Sequence, residues 1–499
     1  MTVAPAALRT AHPNALRPAL LASILLAVAA GLLCEALNTS DMPTQAVVWG
    51  GLAFAAYALG LFFLFSSRGT DQRLRNWRFG SWVMVWSAVS FGVATVTWSQ
   101  PQTGQAAEIA VASVLQALWL VAVGLTAWAI GYAAGPGSRV RASAARVITS
   151  MRRAFGTEVR ASAPWILSAV GLAASIVSAL TTGRLGFVGN AATAVSTATS
   201  YGQVLTTLSL CAPLGLAAAA LRAFQEQAVG TRITLAVLFL VEVGFGAATG
   251  AKQNFVIAVL AVAIPFSATR RRLPKSTLAA LVLVFLIVVV PFTQAYRDAA
   301  RGSTGTLTLS EAVDTAPEVL RQTLTGYDLV SAVPASTAYL LERVREIDSV
   351  AIIMQRTPSQ IGYVPATQLA IAPLAQLVPR AIWSGKPILA SGYEFAQQYF
   401  DVPSTTYTSD AITPVGDLFR HGGWIPVIFG MFLIGCGIRL LDDVLDVGSN
   451  PHATFLVLLL FQSLVFAEED WATLLAAIPV ALLVWFFAVA LAFRRNEAT

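Results

Sequence analysis

The sequence predicts an all-α, polytopic integral membrane protein with about twelve transmembrane helices and one long external loop. Three observations support this fold class. Of the 499 residues, 56% are hydrophobic and only 12% are charged, whereas a soluble domain carries about 25% charged residues. Apolar runs of about 20 residues recur from end to end, and each can cross a hydrocarbon core roughly 30 Å thick. Most of these runs are apolar on all sides, unlike the amphipathic surface helices of soluble proteins.

The apolar runs divide the chain into three parts. The sequence predicts an N-terminal transmembrane bundle of about nine helices in residues 1–292. It predicts an external loop in residues 293–421 and about three further helices in residues 422–499. The first run follows two arginines as in a signal peptide, but it continues to residue 37 and is interpreted as a retained helix. The predicted spans are 18–37, 46–66, 80–98, 110–134, 164–182, 203–221, 233–250, 253–269, 276–293, 423–440, 452–467 and 471–493.

The long loop is not uniformly polar. Its segment 310–345 has the pattern of amphipathic helices. Residues 361–379 are apolar but contain Pro365, Pro373 and Pro379, so this segment is predicted to be re-entrant or interfacial. A thirteenth crossing there would upset the alternation of inner and outer segments.

The distribution of basic residues predicts the orientation in the inner (cytoplasmic) membrane. With both termini in the cytoplasm, 21 of the 32 Lys and Arg residues fall in inner segments. The short outer loops carry only Arg184 and Lys252, and the loop 293–421 carries the other 9. Because basic segments next to membrane helices stay in the cytoplasm, this asymmetry predicts cytoplasmic termini and an external loop. The net charge of +6 therefore reflects anchoring segments and does not indicate a nucleic-acid partner.

No sequence pattern predicts a metal ion or another cofactor. Cys34, Cys211 and Cys436 all lie in apolar spans, and no Cys or His spacing resembles a zinc site. No glycine-rich phosphate-binding motif occurs. The energy for any synthesis is therefore expected to come from an activated substrate.

Basic residues on the outer side run against the orientation bias, so they are candidates for binding an anion. A guanidinium group can bind two phosphate oxygens at once and keeps its charge. The alternative is that individual side chains only reach outer-leaflet phosphates. Tyr363 and Tyr393 could stack on sugar faces or belong to an interfacial aromatic belt. The candidate cations for substrate binding are Arg184, Lys252, Arg297, Arg301, Arg356, Arg380, Lys386 and Arg420.

The candidates for acid–base catalysis lie on the same predicted side. His421 is the outer one of the three histidines, and an imidazole can remove a proton from a sugar hydroxyl near neutral pH. The alternative role for His421 is to cap the following helix at the interface. Asp417, Asp410 and Glu394 are the alternative bases.

Residues 356–439 carry a group of short motifs. They include VPRAIWSGKP (378–387), GDLFRHGGW (416–424) and a glycine-rich helix after them. This stretch resembles the C-terminal signature of bacterial oligosaccharide repeat-unit polymerases, the O-antigen polymerase (Wzy-like) proteins. The turns GRLGF (183–187) and TGAKQNF (249–255) are similar to outer-loop basic positions of that family, although Lys252 stands where the family often has Arg.

The resemblance implies a metal-independent membrane glycosyltransferase that polymerises undecaprenyl-pyrophosphate-linked oligosaccharides on the outer face of the membrane. By the same resemblance, the matching arginines and His421 would be functional. The implied partners are this lipid-linked oligosaccharide, membrane lipids and other polysaccharide assembly proteins, such as a chain-length regulator and a flippase. The alternatives are an O-antigen ligase-type transferase with the same donor, or a transporter (flippase) of lipid-linked oligosaccharides.

A cysteine at position 303 tests the predicted orientation. In a variant whose native cysteines are replaced by Ala, Ser303→Cys should react with a membrane-impermeant thiol reagent in intact spheroplasts. The matched control, Ser143→Cys in a predicted inner segment, should react only after permeabilisation. The opposite labelling pattern would show that the predicted orientation is wrong.

Overall fold

The chain folds as the all-α, polytopic membrane protein that its sequence predicts. A computed structural model describes residues 31, 43–66, 77–182, 201–270, 275–302, 309–325, 329–379, 382–383, 391–403, 410–448, 450–465 and 468–496. Within these residues, ten helices are long and apolar enough to cross a membrane.

The described part of the N-terminal half contains nine helices and one strand. Helix α2 begins as an α-helix, passes through a π-helical turn (Ala88–Gly92) and ends as a 3₁₀-helix (Val93–Ser99). The elements are α1 (Pro43–Ser66), α2 (Phe79–Ser99), α3 (Val111–Ala134), α4 (Ser138–Ala154), β1 (Phe155–Val159), α5 (Ala163–Thr182), α6 (Gly202–Ser209), α7 (Cys211–Glu226), α8 (Val229–Thr249) and α9 (Lys252–Arg270).

The next helix, α10, consists of Lys275–Val284, a π-helical turn (Phe285–Val289) and Val290–Gly302. The remaining elements are α11 (Leu309–Thr325), α12 (Leu329–Arg343), α13 (Ile347–Arg356), α14 (Gln368–Leu377), α15 (Ser391–Phe400), α16 (Pro414–Arg420), α17 (Trp424–Val444), α18 (Pro451–Val465), α19 (Trp471–Ala492) and β2 (Phe493–Arg495).

The predicted spans from 46–66 onward each coincide with described helices. The first predicted span, 18–37, lies outside the described residues except for Gly31, which is helical. Helix α18 has 15 residues, which is about 22 Å at 1.5 Å per residue, so it is shorter than the other spans. Helix α10 extends to Gly302, beyond the end predicted at residue 293.

The loop helices α13 and α14 lie at one end of the bundle, which we call the loop face. The end of α2 and the starts of α3, α17 and α19 lie there. The Ala110 N–H donates to Gln355 Oε1 over 2.8 Å, and Trp471 Nε1–H donates to the Leu369 carbonyl over 3.1 Å. These bonds join the ends of membrane helices to the loop helices α13 and α14.

The opposite end of the bundle, the strand face, carries a short antiparallel pair of strands that the all-α prediction did not include. Strand β1 pairs with β2, with Phe155 opposite Arg495 and Val159 opposite Phe493. The buried His452 lies beside them, with its Nε2 2.8 Å from the Gly156 carbonyl oxygen. Helices α3, α17 and α19 therefore each run from the loop face to the strand face.

Part of the predicted external loop packs along a membrane helix. Helix α11 lies against the last part of α10, where Val319 contacts Phe292 and Tyr296. Helix α12 then contacts the π-helical turn of α10 and the 3₁₀ end of α2. Segment 310–345, predicted to form amphipathic helices, therefore contains two helices that each pack against α10.

Helix α14 occupies the segment 361–379 that is predicted to be re-entrant or interfacial. It packs along α19 from the loop-face end, and its Pro373 and Ala375 are buried. On its other side Ile371 and Leu374 are exposed, which leaves an apolar surface beside the membrane helix. The prolines shorten the helix to 10 residues.

A buried carboxylate, Asp442, joins three helices at the strand face. Its two oxygens accept the N–H groups of Phe79 (2.8 Å) and Gly80 (3.0 Å), the first residues of α2, which otherwise have no partner within the helix. The Tyr132 hydroxyl of α3 donates to Asp442 Oδ2 over 2.8 Å. Asp442 itself lies in the last turn of α17, so one side chain fixes the relative positions of α2, α3 and α17.

Replacing Asp442 by Ala should therefore destabilise the bundle. The substitution leaves two buried N–H groups and a hydroxyl unpaired, and each unpaired group costs about 1–3 kcal/mol. The Tyr132→Phe control removes only one donor, for which we expect about 1 kcal/mol. Thermal unfolding of the detergent-solubilised protein should show a much larger drop in melting temperature for Asp442→Ala. Equal melting temperatures in both variants would contradict this role.

Candidate functional site

A polar cavity of about 240 Å³ lies at the loop face, between the loop helices and the residues that connect α2 with α3. In a chain with only 12% charged residues, this wall is exceptionally rich in charge. Its polar lining consists of Thr103, Gln105, Glu342, Arg343, Arg345, Glu346, Asp348, Ser349 and Asp410.

An ion pair forms the base of the cavity. Arg345 Nη2 lies 2.6 Å from Asp348 Oδ2, and Trp98 Nε1–H donates to Asp348 Oδ1 over 3.1 Å. Arg345 also donates to the Thr97 hydroxyl, and its guanidinium lies 5.3 Å from the Trp98 ring centroid. Both carboxylate oxygens of Asp348 are thus engaged. Burial raises the pKa of Asp348, although Arg345 and Trp98 oppose this shift. This pair holds the start of α13 against the end of α2.

Asp410, a sequence-predicted acid–base candidate, lines the cavity. Its Oδ2 accepts the Gln105 side-chain amide over 3.0 Å. Burial raises the pKa of Asp410, while the Gln105 bond and the charge of Arg343 lower it. Asp410 therefore keeps one oxygen for another ligand.

Glu346 has the most perturbed environment in the cavity. It lies directly before α13, and only 4% of its surface is exposed. Burial, followed by the negative charges of Glu468, Asp348 and Asp410, raises its pKa well above the ordinary value of a glutamate. Arg343 opposes the rise.

A group of cations lies next to the cavity. Gly250 turns the chain from α8 to α9 with a φ of +64°, which favours glycine, and Arg297 donates to its carbonyl over 3.2 and 3.1 Å. The buried Lys252 Nζ has no hydrogen-bond partner among the described residues and lies 4.1 Å from the Tyr339 ring centroid. Arg297 and Arg343 are both within electrostatic range of Lys252. Arg343 also lines the cavity, so it belongs both to this cation group and to the charged lining of the cavity.

Asp417 and Arg420 form a second cluster at the loop face. Asp417 Oδ1 lies 2.7 Å from Arg420 Nε, and Asp417 Oδ2 accepts the Trp471 N–H, at the start of α19, over 2.9 Å. The side chain of Asp417 is 3% exposed. Because both oxygens are engaged, the geometry assigns Asp417 to positioning α16 against α19.

His421 belongs to this second cluster and does not line the cavity. Its Nδ1 lies 2.8 Å from the Asp417 carbonyl oxygen, so in the neutral ring Nδ1–H donates and Nε2 holds the lone pair. The next residues, Gly422 and Gly423, have φ values of +143° and +77°, which only glycine adopts without strain. The Tyr363 hydroxyl lies beside Gly423, where a Cβ atom would come within 3.2 Å.

Arg356, predicted to bind substrate, is paired with two protein carboxylates. It lies 2.7 Å from Asp401 Oδ2 and 3.1 Å from Glu108 Oε2. Both partners are exposed, with 70% and 46% of their side-chain surfaces accessible. The pair joins α13 to the residue that follows α15, at the rim of the loop face.

Other predicted positions cannot be placed in either cluster. Arg184, Arg380 and Lys386 lie outside the described residues, and the side chain of Arg301 does as well, although its backbone ends α10. Tyr393 and Glu394 lie on α15, where burial raises the pKa of Glu394 and the charge of Arg420 lowers it. These predictions remain predictions.

The site residues predicted from the sequence do not include the charged residues that line the cavity most densely. Residues 342–348 (ERVREID) contain five charged side chains among seven residues. In a membrane protein so poor in charge, this density was the available signal. The predicted amphipathic segment ends at residue 345, within this charged run, and charges on such a helix normally face water.

The fold and the cavity define a polytopic membrane protein with a charged site at one end of its helices. The chain belongs to a family described as a domain of unknown function (DUF8712), which matches residues 175–444. No curated protein and no solved structure matches it. The matched region contains the cations and carboxyls of the cavity, whereas Gln105 and Trp471, which bind Asp410 and Asp417, lie outside it.

Arg345→Met should destabilise the protein, because it leaves the Asp348 carboxyl without its cation. Breaking a buried pair by removing one partner costs about 3–5 kcal/mol. The double variant Arg345→Met/Asp348→Leu should recover much of this loss, because no unpaired charge remains. Melting temperatures of the purified variants measure both effects. A double variant no more stable than Arg345→Met would contradict the pairing.

Proposed function

We propose that this protein is a membrane glycosyltransferase that polymerises undecaprenyl-pyrophosphate-linked oligosaccharide units into a surface polysaccharide. The reaction would take place at the outer face of the cytoplasmic membrane, on the loop face. The observation that carries the proposal is the juxtaposition of Lys252 and Arg343 with a polar cavity at the end of membrane helices. The sequence resemblance to repeat-unit polymerases supports the same reaction class.

The cation group fits a phosphate-bearing ligand. Lys252 Nζ is buried and has no hydrogen-bond partner among the described residues. Burying a cation without a counter-ion is unfavourable, and an anion bound beside Lys252 would also relieve the repulsion from Arg297 and Arg343. A pyrophosphate supplies several oxygens for such charge-assisted bonds. The cations would also stabilise the negative charge that develops on the leaving pyrophosphate.

The surroundings of the cations fit a lipid-linked donor. Along α10, below the loop face, Val282, Leu283 and Val284 are about half exposed. Leu324 at the end of α11 is 61% exposed. A polyprenyl chain in the membrane could lie along these apolar side chains while its pyrophosphate binds the cations.

The cavity would hold the sugars. Its hydroxyl, amide and carboxyl groups, including Thr103, Gln105 and Asp410, suit hydrogen bonds to sugar hydroxyls. An acceptor hydroxyl would attack the anomeric carbon of the donor, and the bond to pyrophosphate would break. Of the four acid–base candidates predicted from the sequence, Asp410 lines the cavity, whereas His421, Asp417 and Glu394 do not.

A ligase-type transferase would use the same donor with a different acceptor. The two are separated by the product. In proteoliposomes with purified lipid-linked repeat units, a polymerase should produce a ladder of chain lengths without any other acceptor. A transporter should move the lipid-linked units across the bilayer without lengthening them. Loss of the gene should reduce the surface glycan to single repeats.

Lys252→Met and Arg343→Ala should each lower polymer formation by about 100-fold, in the range found for removing one group that stabilises a transition-state charge. Lys252→Arg keeps the charge and should retain part of the activity. The matched control is Arg321→Ala, since Arg321 is exposed on α11 and pairs only with Glu318 and not with the cavity. Ladder assays with the purified variants measure these effects. Activity within twofold of wild type in both test variants would remove the cations from the mechanism.

A further inference from the structure

Glu346 differs from every other carboxyl in the cavity lining. It is the buried one, with 4% of its surface exposed, and no described group donates a hydrogen bond to it. The Asp348 oxygens are engaged by Arg345 and Trp98, and one Asp410 oxygen is engaged by Gln105. Its carboxyl oxygens are not among the described polar atoms that are both fully enclosed and without a partner, so they are open to the cavity and free to bind a ligand. Because it lines the cavity, that ligand would come from the cavity.

The position of Glu346 is well determined by its neighbours. Its N–H donates to the Val344 carbonyl over 3.0 Å, and the ion pair between Arg345 and Asp348 flanks it on both sides in the sequence. This pair is fixed in turn to the end of α2 through Trp98. The Glu346 side chain is therefore presented to the cavity from a rigid segment, as a group that reacts with a bound substrate must be.

We infer that Glu346 is the general base of the reaction and takes the proton of the acceptor hydroxyl. This inference rests on the proposed glycosyl transfer. The acceptor oxygen forms a bond to the anomeric carbon of the donor as its proton passes to the Glu346 carboxylate. The bond between that carbon and the pyrophosphate oxygen breaks, and the electron pair leaves with the pyrophosphate. The proton later returns to solvent through the cavity.

The charges around Glu346 suit this role. Glu468, Asp348 and Asp410 face it with negative charge, and Arg343 faces it with positive charge. Together with burial, the carboxylates raise the pKa of Glu346, which makes its carboxylate a stronger base than an exposed glutamate. Arg343 also belongs to the cation group that would bind the pyrophosphate. It would therefore bring the leaving group and the base to the same cavity.

The test replaces Glu346 by Gln, which keeps the shape of the side chain and removes its basicity. Polymer formation should fall by about 100-fold or more, as expected for the loss of a general base. Binding of the lipid-linked donor, measured directly, should stay within about threefold of wild type, because Lys252 and Arg343 are unchanged. The control Glu318→Gln, on the exposed side of α11, should keep full activity.

A pH profile distinguishes a base from a merely structural residue. The wild-type rate should fall as the pH drops through the pKa of the base, and Glu346→Gln should lose this acidic limb. Glu346→Asp keeps a carboxyl but withdraws it by one methylene, so the rate should fall at least tenfold while the acidic limb remains. This variant also tests the role if Glu346→Gln does not fold.

The outcomes separate this inference from the proposed function. If the wild-type protein lengthens no lipid-linked donor, the proposed function fails, and the base assignment fails with it. If the wild type polymerises and either Glu346 variant does so at the full rate, only the base assignment is overturned.

Discussion

The arrangement of the bundle depends on two buried carboxylates, one near each end of α17. Asp442, in its last turn, accepts the first N–H groups of α2 and the hydroxyl of Tyr132. Asp417, in the short helix α16 that precedes α17, accepts the Trp471 N–H that begins α19. A buried charge is costly unless it is hydrogen-bonded, so each carboxylate favours the arrangement in which its donors are present. Asp442 therefore fixes α2 to α17 at the strand face, and Asp417 fixes α16 to α19 at the loop face.

Fixing α2 at the strand face determines where its other end emerges. There the last residues, Thr97 and Trp98, hold the pair formed by Arg345 and Asp348. The floor of the cavity is thus attached to the end of a membrane helix. The backbone of α2 changes to a π-turn and then to a 3₁₀-helix before it reaches this pair. Such departures from α-geometry often occur at functional sites.

The sequence predicted the fold class and the membrane spans because apolar run length and charge asymmetry report directly on membrane insertion. It did not predict that α11 and α12 pack beside α10. The sequence of an amphipathic helix shows that one side is apolar, but it does not show which element packs against that side. It identified Lys252, Arg297 and Asp410 one at a time, because outer-side charge is visible in a sequence. A sequence does not show which of these residues meet in space, since Gln105 and Asp410 are far apart in the chain and come into contact only after folding. For the same reason Glu346 was passed over, because its burial depends on contacts from four separate segments.

The charges at the loop face form a cation group and a carboxyl group, which Arg343 connects. Lys252 lies against Tyr339 of α12, whereas Arg343 lines the cavity and lies close enough to Glu346 and Asp410 to lower the pKa of both. A ligand that spans both regions would place its anionic, lipid-linked end on the cations and its hydroxyl-rich end on the acids. Under the proposed function, a single amphipathic substrate with a phosphate between its lipid and its sugars would occupy both parts of the site at once, with its phosphate beside Lys252 and its sugar hydroxyls beside the cavity carboxyls.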